Sequence, residues 1–340
     1  MIHAASSLYG AATAWRRRWY ARHPSRQRRL ASPVVSIGNL TVGGSGKTPV
    51  VEYVARLLLD HGERPAILTR GYGRRLSPRG VTVVSDGTKI CAAIDTAGDE
   101  PLMLAQVLAG VPVLVGADRY LSGCLAERRF GATVHVLDDG FQHLAIARDV
   151  DVLLVAEEDL ADHLLPEGRL REPLAAAAAA DAVLVTAGYP AAVDRIARAL
   201  GVTIAFGVIR VLGPPRRVAP PRDSVVVPPD SRVFAVAGIA RPGRFFADVE
   251  SAGWNLVGTL AFRDHHRFGQ RDIRRIARAA RASAASMVLT TEKDAVRLAA
   301  CDLGDLPIAS VPIHITIDPA DAFRDWLLAR VRSARLGRPA

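Results

Sequence analysis

Val34-Val35-Ser36-Ile37-Gly38-Asn39-Leu40-Thr41-Val42-Gly43-Gly44-Ser45-Gly46-Lys47-Thr48 is the stretch on which the fold turns. A short apolar run leads into a glycine-rich turn, and a helical pattern continues over residues 47–60. That is the strand–loop–helix setting of a phosphate-binding loop. Glycines let consecutive backbone N–H groups turn inward around phosphate oxygens, and the helix N-terminus adds partial positive charge. In this reading Thr41, Gly43, Gly44, Ser45 and Gly46 form the cradle. Lys47 reaches the β- and γ-phosphates of a nucleotide, and the Thr48 hydroxyl holds Mg²⁺. The generic motif opens with a glycine five residues before Gly46; Thr41 stands there instead, which leaves the turn to Gly43 and Gly44.

Beyond the loop, apolar runs alternate with helical stretches. Strands are expected at 66–69, 81–84, 111–115, 133–137, 152–155, 182–186 and 202–208, and helices at 99–108, 119–129 and 191–200. Buried apolar runs separated by helices imply an α/β fold: a mostly parallel, P-loop NTPase-like sheet flanked by helices. Six prolines between Pro214 and Pro229 make 212–230 the expected linker. The rhythm then resumes, with strands at 233–237, 255–260, 287–290 and 313–317 and helices from 242, over 271–285 and over 320–331. The expected organisation is a helical segment over 1–30, a P-loop kinase domain over 31–211, the linker, and a smaller α/β domain over 231–340 that completes the cleft. The alanine run 175–180 reads as plain helix.

Composition narrows the class. At 340 residues and 49% hydrophobic, the chain can build about two cored domains. No apolar run approaches the roughly 18 residues of a spanning helix. Three widely spaced cysteines, Cys91, Cys124 and Cys301, argue against a disulfide framework or a cysteine zinc site. Of 44 basic residues only Lys47, Lys89 and Lys293 are lysines, so arginine clusters carry little weight and each lysine carries more. Residues 1–30 hold seven arginines and no acid, most of the net charge of +10. Charge so localised does not resemble a nucleic-acid-binding face. In the same segment Leu8, Ala12, Trp15 and Trp19 share one helical stripe, and Pro24 ends the helix. This is the pattern of a helix lying in an anionic membrane surface; the alternative is a helix packed on the body with a solvated arginine tail.

A phosphate loop needs a carboxylate on a neighbouring strand, and Asp138-Asp139 closes the run 133–137; either could serve the metal, with Asp139 preferred. Asp99 and Glu100 open a helix, where acids either cap the first turn or act on a reacting hydroxyl. Asp264-His265-His266 follows a strand of the second domain and could orient Asp99 across a cleft. Arg70 and Arg119 open loops after strands, where a phosphorylated substrate would be met. Thr291-Glu292-Lys293-Asp294 has the wrong register for the guanine-reading Asn-Lys-x-Asp element, which weakens a GTPase reading.

Together these blocks resemble the tetraacyldisaccharide 4′-kinase (lipid A 4′-kinase) family. The likeness runs in order through the phosphate loop, Leu68-Thr69-Arg70-Gly71-Tyr72-Gly73, Ala97-Gly98-Asp99-Glu100-Pro101, Gly116-Ala117-Asp118-Arg119-Tyr120 and Leu137-Asp138-Asp139-Gly140-Phe141-Gln142-His143. It continues through residues 165–173, Ala237-Gly238-Ile239-Ala240-Arg241-Pro242, Phe262-Arg263-Asp264-His265-His266 and Thr290-Thr291-Glu292-Lys293-Asp294. Thr41 is the family's own variant of the loop. The resemblance implies two α/β lobes and transfer of the ATP γ-phosphate, with Mg²⁺, to the 4′-hydroxyl of a tetraacyl disaccharide 1-phosphate. It implies Asp99 as base with His265 as its partner, Glu100 on the metal side, and Arg70, Arg119 and Gln142 toward the acceptor. It places the enzyme peripherally on the cytoplasmic face of the inner membrane of a Gram-negative bacterium, with no nucleic acid and no obligate protein partner. Glu167, Arg169 and His266 depart from the family pattern, away from the phosphate chemistry. The rival reading is a P-loop regulatory or chaperone NTPase that uses the basic N-terminus as a contact.

Overall fold

Strand β1, Val34–Asn39, is buried at every residue, as a strand with neighbours on both edges and helices on both faces must be. The computed structural model describes residues 2–43, 46–186, 190–218 and 224–338. Helix α1, Ile2–Arg22, precedes β1. After the phosphate loop come α2 (Lys47–Asp60), β2 (Pro65–Thr69), β3 (Thr82–Asp86), α3 (Ile94–Ala97) and α4 (Asp99–Val107). Next are β4 (Pro112–Val115), α5 (Arg119–Phe130), β5 (Val134–Asp138), β6 (Val150–Ala156), β7 (Ala182–Thr186), α6 (Pro190–Leu200) and β8 (Ala205–Leu212). The second half adds β9 (Arg216–Arg217), β10 (Arg232–Ala237), α7 (Pro242–Ser251), β11 (Asn255–Ala261), α8 (Gln270–Ala282), β12 (Met287–Thr291), α9 (Glu292–Leu298), β13 (Ile308–Val311), β14 (Ile313–Asp318) and α10 (Ala320–Leu336).

Two sheets result, nine strands in the order β14-β8-β7-β6-β1-β5-β2-β4-β3 and five in the order β11-β10-β12-β13-β9. The chain leaves central β1 for β2 on one side and returns through β5 to β6 on the other, so the loop after β1 sits at the switch point where open α/β sheets bind ligands. Helix α2 covers that region with Val50, Val51, Val54, Ala55, Leu57 and Leu58, the buried stripe of an amphipathic helix. The edge strands β3 and β14 pair antiparallel; the rest of the large sheet is parallel.

Several expected boundaries shift. β14 and α10, expected in the second domain, return to the first: β14 pairs with β8 along its whole length. Phe323, Leu327 and Val331, spaced four apart on α10, are buried in the same core as Phe206 and Val208. The open edge of β8 takes β14, and the apolar stripe of α10 packs on the sheet face against β14 and β6. The expected linker 212–230 carries β9, which pairs antiparallel with β13; its residues 219–223 lie outside the described residues. The segment 1–30 is not one unit, because Leu30 is buried against Gly123, whose missing Cβ leaves it room, and Arg28 bonds the backbone of Ala145 and Ala147. Strand β13 had no expected counterpart, and the alanine run after Pro173 forms a 3₁₀ turn, Leu174–Ala179.

Candidate active site between the lobes

The phosphate loop leaves β1 at Asn39, which is fully buried and donates from Nδ2 to the Thr41 carbonyl and hydroxyl, each at 2.9 Å. Gly46 precedes α2 with φ of 81°, a conformation that strains any residue with a side chain. Lys47 Nζ donates to Asn39 Oδ1 at 2.8 Å and lies 3.4 Å from Asp139 Oδ1. Thr48 is half-buried in the first turn of α2. Gly44 and Ser45 lie outside the described residues.

Register places the aspartates: Ile37 of β1 sits beside Asp138 at the end of β5. Asp138 is buried and receives the Thr69 hydroxyl at 3.0 Å. Burial and the charges of Glu100 and Asp139 push its carboxyl up to about 7. Asp139 has φ of 54°, rare for a side-chain-bearing residue and a mark of strain held at a working site. Arg171 grips both of its oxygens at 2.8 Å. Burial opposes ionisation of Asp139, but Lys47 and Arg171 outweigh it and hold this carboxyl well below the usual range.

Asp99 opens α4 and is 5% exposed. Its Oδ2 accepts from His265 Nδ1 at 3.0 Å, with Arg297 Nε at 3.5 Å. Burial acts to raise its pKa; the His265 hydrogen bond and the Lys293 charge prevail, so the carboxylate stays ionised. Gly98 is the N-cap residue, and Asp99 Oδ1 accepts from the first-turn Glu100 N–H at 3.0 Å while its Oδ2 faces the second lobe. His265 itself holds φ of 56°, with the Tyr72 ring 5.4 Å away. A cavity of about 200 Å³ opens here, lined by Gly73, Asp95, Asp99, His265, Arg267 and Arg297. The charge of Glu100 acts on Asp138, and its Oε1 accepts from Lys293 at 3.1 Å.

Arg119 is buried yet bonds only the Ala117 carbonyl; burial and the nearby Arg70 charge push it down to about 10, against the pull of Asp139 and Asp138. Arg70 is exposed at the end of β2. Gln142 donates to the Asn39 carbonyl at 3.0 Å while its Oε1 is buried without a partner. Beside it, burial and the Arg119 charge push His143 down to about 4. His266 is apart from this chemistry: it bonds Asp272 at 3.1 Å and stacks on Phe262.

The sequence reading assigned no role to Asn39, Thr69, Arg171, Lys293 or Arg297. Lys293 had a signal, its rarity, but was weighed only as a failed guanine motif. Arg171 had none among so many arginines.

The oxygen donors Thr48, Asp138, Asp139 and Glu100 suit a hard cation. Among the described residues no three His, Cys, Asp or Glu side chains form a ready cage. That fits Mg²⁺, which binds one or two carboxylates and shares its shell with water and substrate phosphates.

Helix α1 docks on this region by one face. Gly10 abuts Leu164, Ser6 donates to the Leu164 carbonyl, Arg17 pairs with Glu172 at 2.6 Å, and Arg16 donates to the Gln142 carbonyl. Leu8, Ala12 and Trp15 point outward. No helix among the described residues is long and apolar enough to cross a membrane.

Comparison with known proteins agrees with this layout. The family model for tetraacyldisaccharide-1-P 4′-kinase, LpxK, matches residues 1–332. A tetraacyldisaccharide 4′-kinase from Desulfotalea psychrophila is 40% identical, over 92% of this chain and 91% of its own. One from Koribacter versatilis is 39% identical, over 95% and 96%. The crystal structure of LpxK from Aquifex aeolicus in complex with ATP superposes with a TM-score of 0.77 at 30% identity, covering 97% of this chain and 98% of that one. With a match that spans both lobes and the cleft between them, the chain belongs to the tetraacyldisaccharide 4′-kinase family.

Proposed function

We infer that this chain is an ATP-dependent kinase that phosphorylates the 4′-hydroxyl of a tetraacyl disaccharide 1-phosphate in lipid A biosynthesis. The observation that carries the reading is the pairing of Asp99 with His265 across the cleft at 3.0 Å, next to a phosphate loop with its two aspartates. A hydrolytic or regulatory NTPase has no need of a second lobe that delivers a histidine to a carboxylate.

The phosphate loop and Lys47 hold the nucleotide phosphates, and Arg171 keeps Asp139 fixed beside Lys47. Thr48, Asp138, Asp139 and Glu100 are the residues to hold Mg²⁺, which would neutralise charge on the phosphoryl oxygens. Asp138 is the stronger direct ligand, since both oxygens of Asp139 are occupied by Arg171. Asp99, ionised and buried, accepts a hydrogen bond from the 4′-hydroxyl and takes its proton as the new O–P bond forms and the bond to the departing ADP breaks. His265 orients that carboxylate. Arg70, Arg119 and Gln142 face the acceptor; the buried Arg119, short of partners and pressed by Arg70, suits an anionic group.

Helix α1 serves a peripheral membrane attachment. Its docked face, Ser6, Gly10 and Arg17, lies opposite the stripe Leu8, Ala12 and Trp15 at about 3.6 residues per turn, so docking leaves the stripe and the exposed Arg18, Arg22 and Arg26 available to anionic lipid. The same helix touches the Gln142 carbonyl, which sets the acceptor entrance at the lipid surface on the cytoplasmic face of the inner membrane. Purified protein with γ-labelled ATP and the acylated disaccharide should yield a labelled lipid. ATP hydrolysis without transfer would favour the regulatory NTPase.

A further inference from the structure

A basic side chain that touches both His265 and Glu100 belongs to neither the phosphate loop nor the acceptor loops. Lys293 is the second residue of α9, in its first turn, and its side chain is 16% exposed. Its ammonium lies 3.1 Å from Glu100 Oε1, 3.4 Å from His265 Nε2 and 3.5 Å from Asp264 Oδ1. An ammonium has three N–H donors and no acceptor, so the three contacts match its capacity. The ammonium is a compact point donor whose N–H groups turn freely, whereas a guanidinium spreads its donors over a planar fork. In a chain that uses arginine for nearly all its cations, this position holds a lysine.

We propose that Lys293 is a positioning residue for phosphoryl transfer: by donating to Nε2 of His265 it keeps the ring proton on Nδ1, directed at Asp99, and ties that pair to Glu100 on the metal side of the cleft. The reasoning is one of donor and acceptor accounting. Nε2 facing an ammonium acts as acceptor, which leaves the ring proton on Nδ1, where Asp99 Oδ2 receives it at 3.0 Å. The ionised Asp99 favours the same tautomer, but without Lys293 the Asp264 carboxylate, whose Oδ2 lies 3.9 Å from Nε2, competes for the ring proton and weakens the bond that aims Asp99. Arg297, one turn along α9, braces Asp99 from behind through Asp294 and the Gly238 carbonyl and does not touch Nε2. Lys293 thus acts through His265, and the proposal rests on the assignment of Asp99 and His265 to the acceptor side.

The test uses the full chain with ATP and the acylated disaccharide. Lys293→Met should fold with an unchanged melting temperature, lower kcat about 10–100-fold, the usual effect of losing a partner that orients a ligand or base, and leave KM for ATP within about twofold. Imidazole ¹⁵N shifts should show His265 as the Nδ1–H tautomer in the parent and a mixture in the variant. Ethylammonium should restore part of kcat to Lys293→Ala. On a His265→Ala background, Lys293→Met should add less than about twofold. An Nε2–H ring in the parent, near-parental kcat in Lys293→Met, or independent multiplicative losses would overturn the proposal. If Asp99→Asn and His265→Ala were themselves without effect, the assignment of the base would fall instead.

Discussion

Residues at the cleft carry the sharpest expectations. Lys47→Ala should remove a phosphate contact without touching the core, at a cost of about 2.7–4 kcal/mol, or ~10²–10³ in rate, by analogy with loss of one oxyanion donor; a folded variant with ordinary turnover would end the phosphate-loop assignment. Asp99→Ala should depress kcat far more than ATP affinity, with His265→Ala milder and the double variant less than multiplicative. Asp138 gives a pH signature. Its carboxyl stands at about 7 in the free site, and a cation requires the ionised form, so Mg²⁺–nucleotide binding should tighten as pH rises toward 7, release a proton, and level off above it. Calorimetry in two buffers of different ionisation enthalpy checks this; heats that do not depend on the buffer below pH 7 would show that Asp138 is not the ligand. At this scale the sequence was legible wherever chemistry follows from residue type and spacing, as at Lys47 or Asp138-Asp139. It was silent on Arg171 and marked Lys293 only by its rarity, since their roles arise from partners 32 residues away in Asp139 and 193 residues away in Glu100.

At the scale of elements, α1 resolves two readings that seemed exclusive. One face is packed on the body and the opposite face is open, so the helix is both part of the fold and a candidate membrane contact. The clean probe is therefore not deletion of 1–30, which would also remove the buried Leu30 and the Arg28 contacts. Leu8→Glu with Trp15→Glu leaves Ser6, Gly10 and Arg17 docked. It should weaken sedimentation with anionic vesicles and raise KM for the lipid, with ATP affinity unchanged. Vesicle binding by the parent should fall with added salt, since part of the attraction is screened. Equal sedimentation of variant and parent across that salt range would remove α1 as the anchor. The helix is legible from its stripe and from Pro24; which face docks is not, because small residues such as Ser6 and Gly10 gain meaning only from the Leu164 side chain they fit against.

Across the whole molecule, the C-terminal segment ties the lobes together. Phe323 meets Phe206 edge-on at 5.1 Å in the core of the large sheet. Phe323→Ala should thus destabilise the phosphate-loop lobe by about 3–5 kcal/mol, read from urea unfolding, although the residue follows the second lobe in the chain; an unshifted midpoint would contradict the packing described. Local sequence determined the elements: strand at 182–186, helix at 47–60, the phosphate loop between β1 and that helix, because apolar periodicity, glycine and proline act over a few residues. It determined the family as well, since ordered blocks along the chain are one-dimensional information. Tertiary structure alone decided that β14 closes the first sheet instead of the second, that β9 joins the second sheet from within a proline-rich stretch, and that His265 and Lys293 converge on Asp99 and Glu100. These are choices among long-range pairings of similar local merit, settled by which open strand edge, apolar stripe or unpaired charge the folded chain brings within reach.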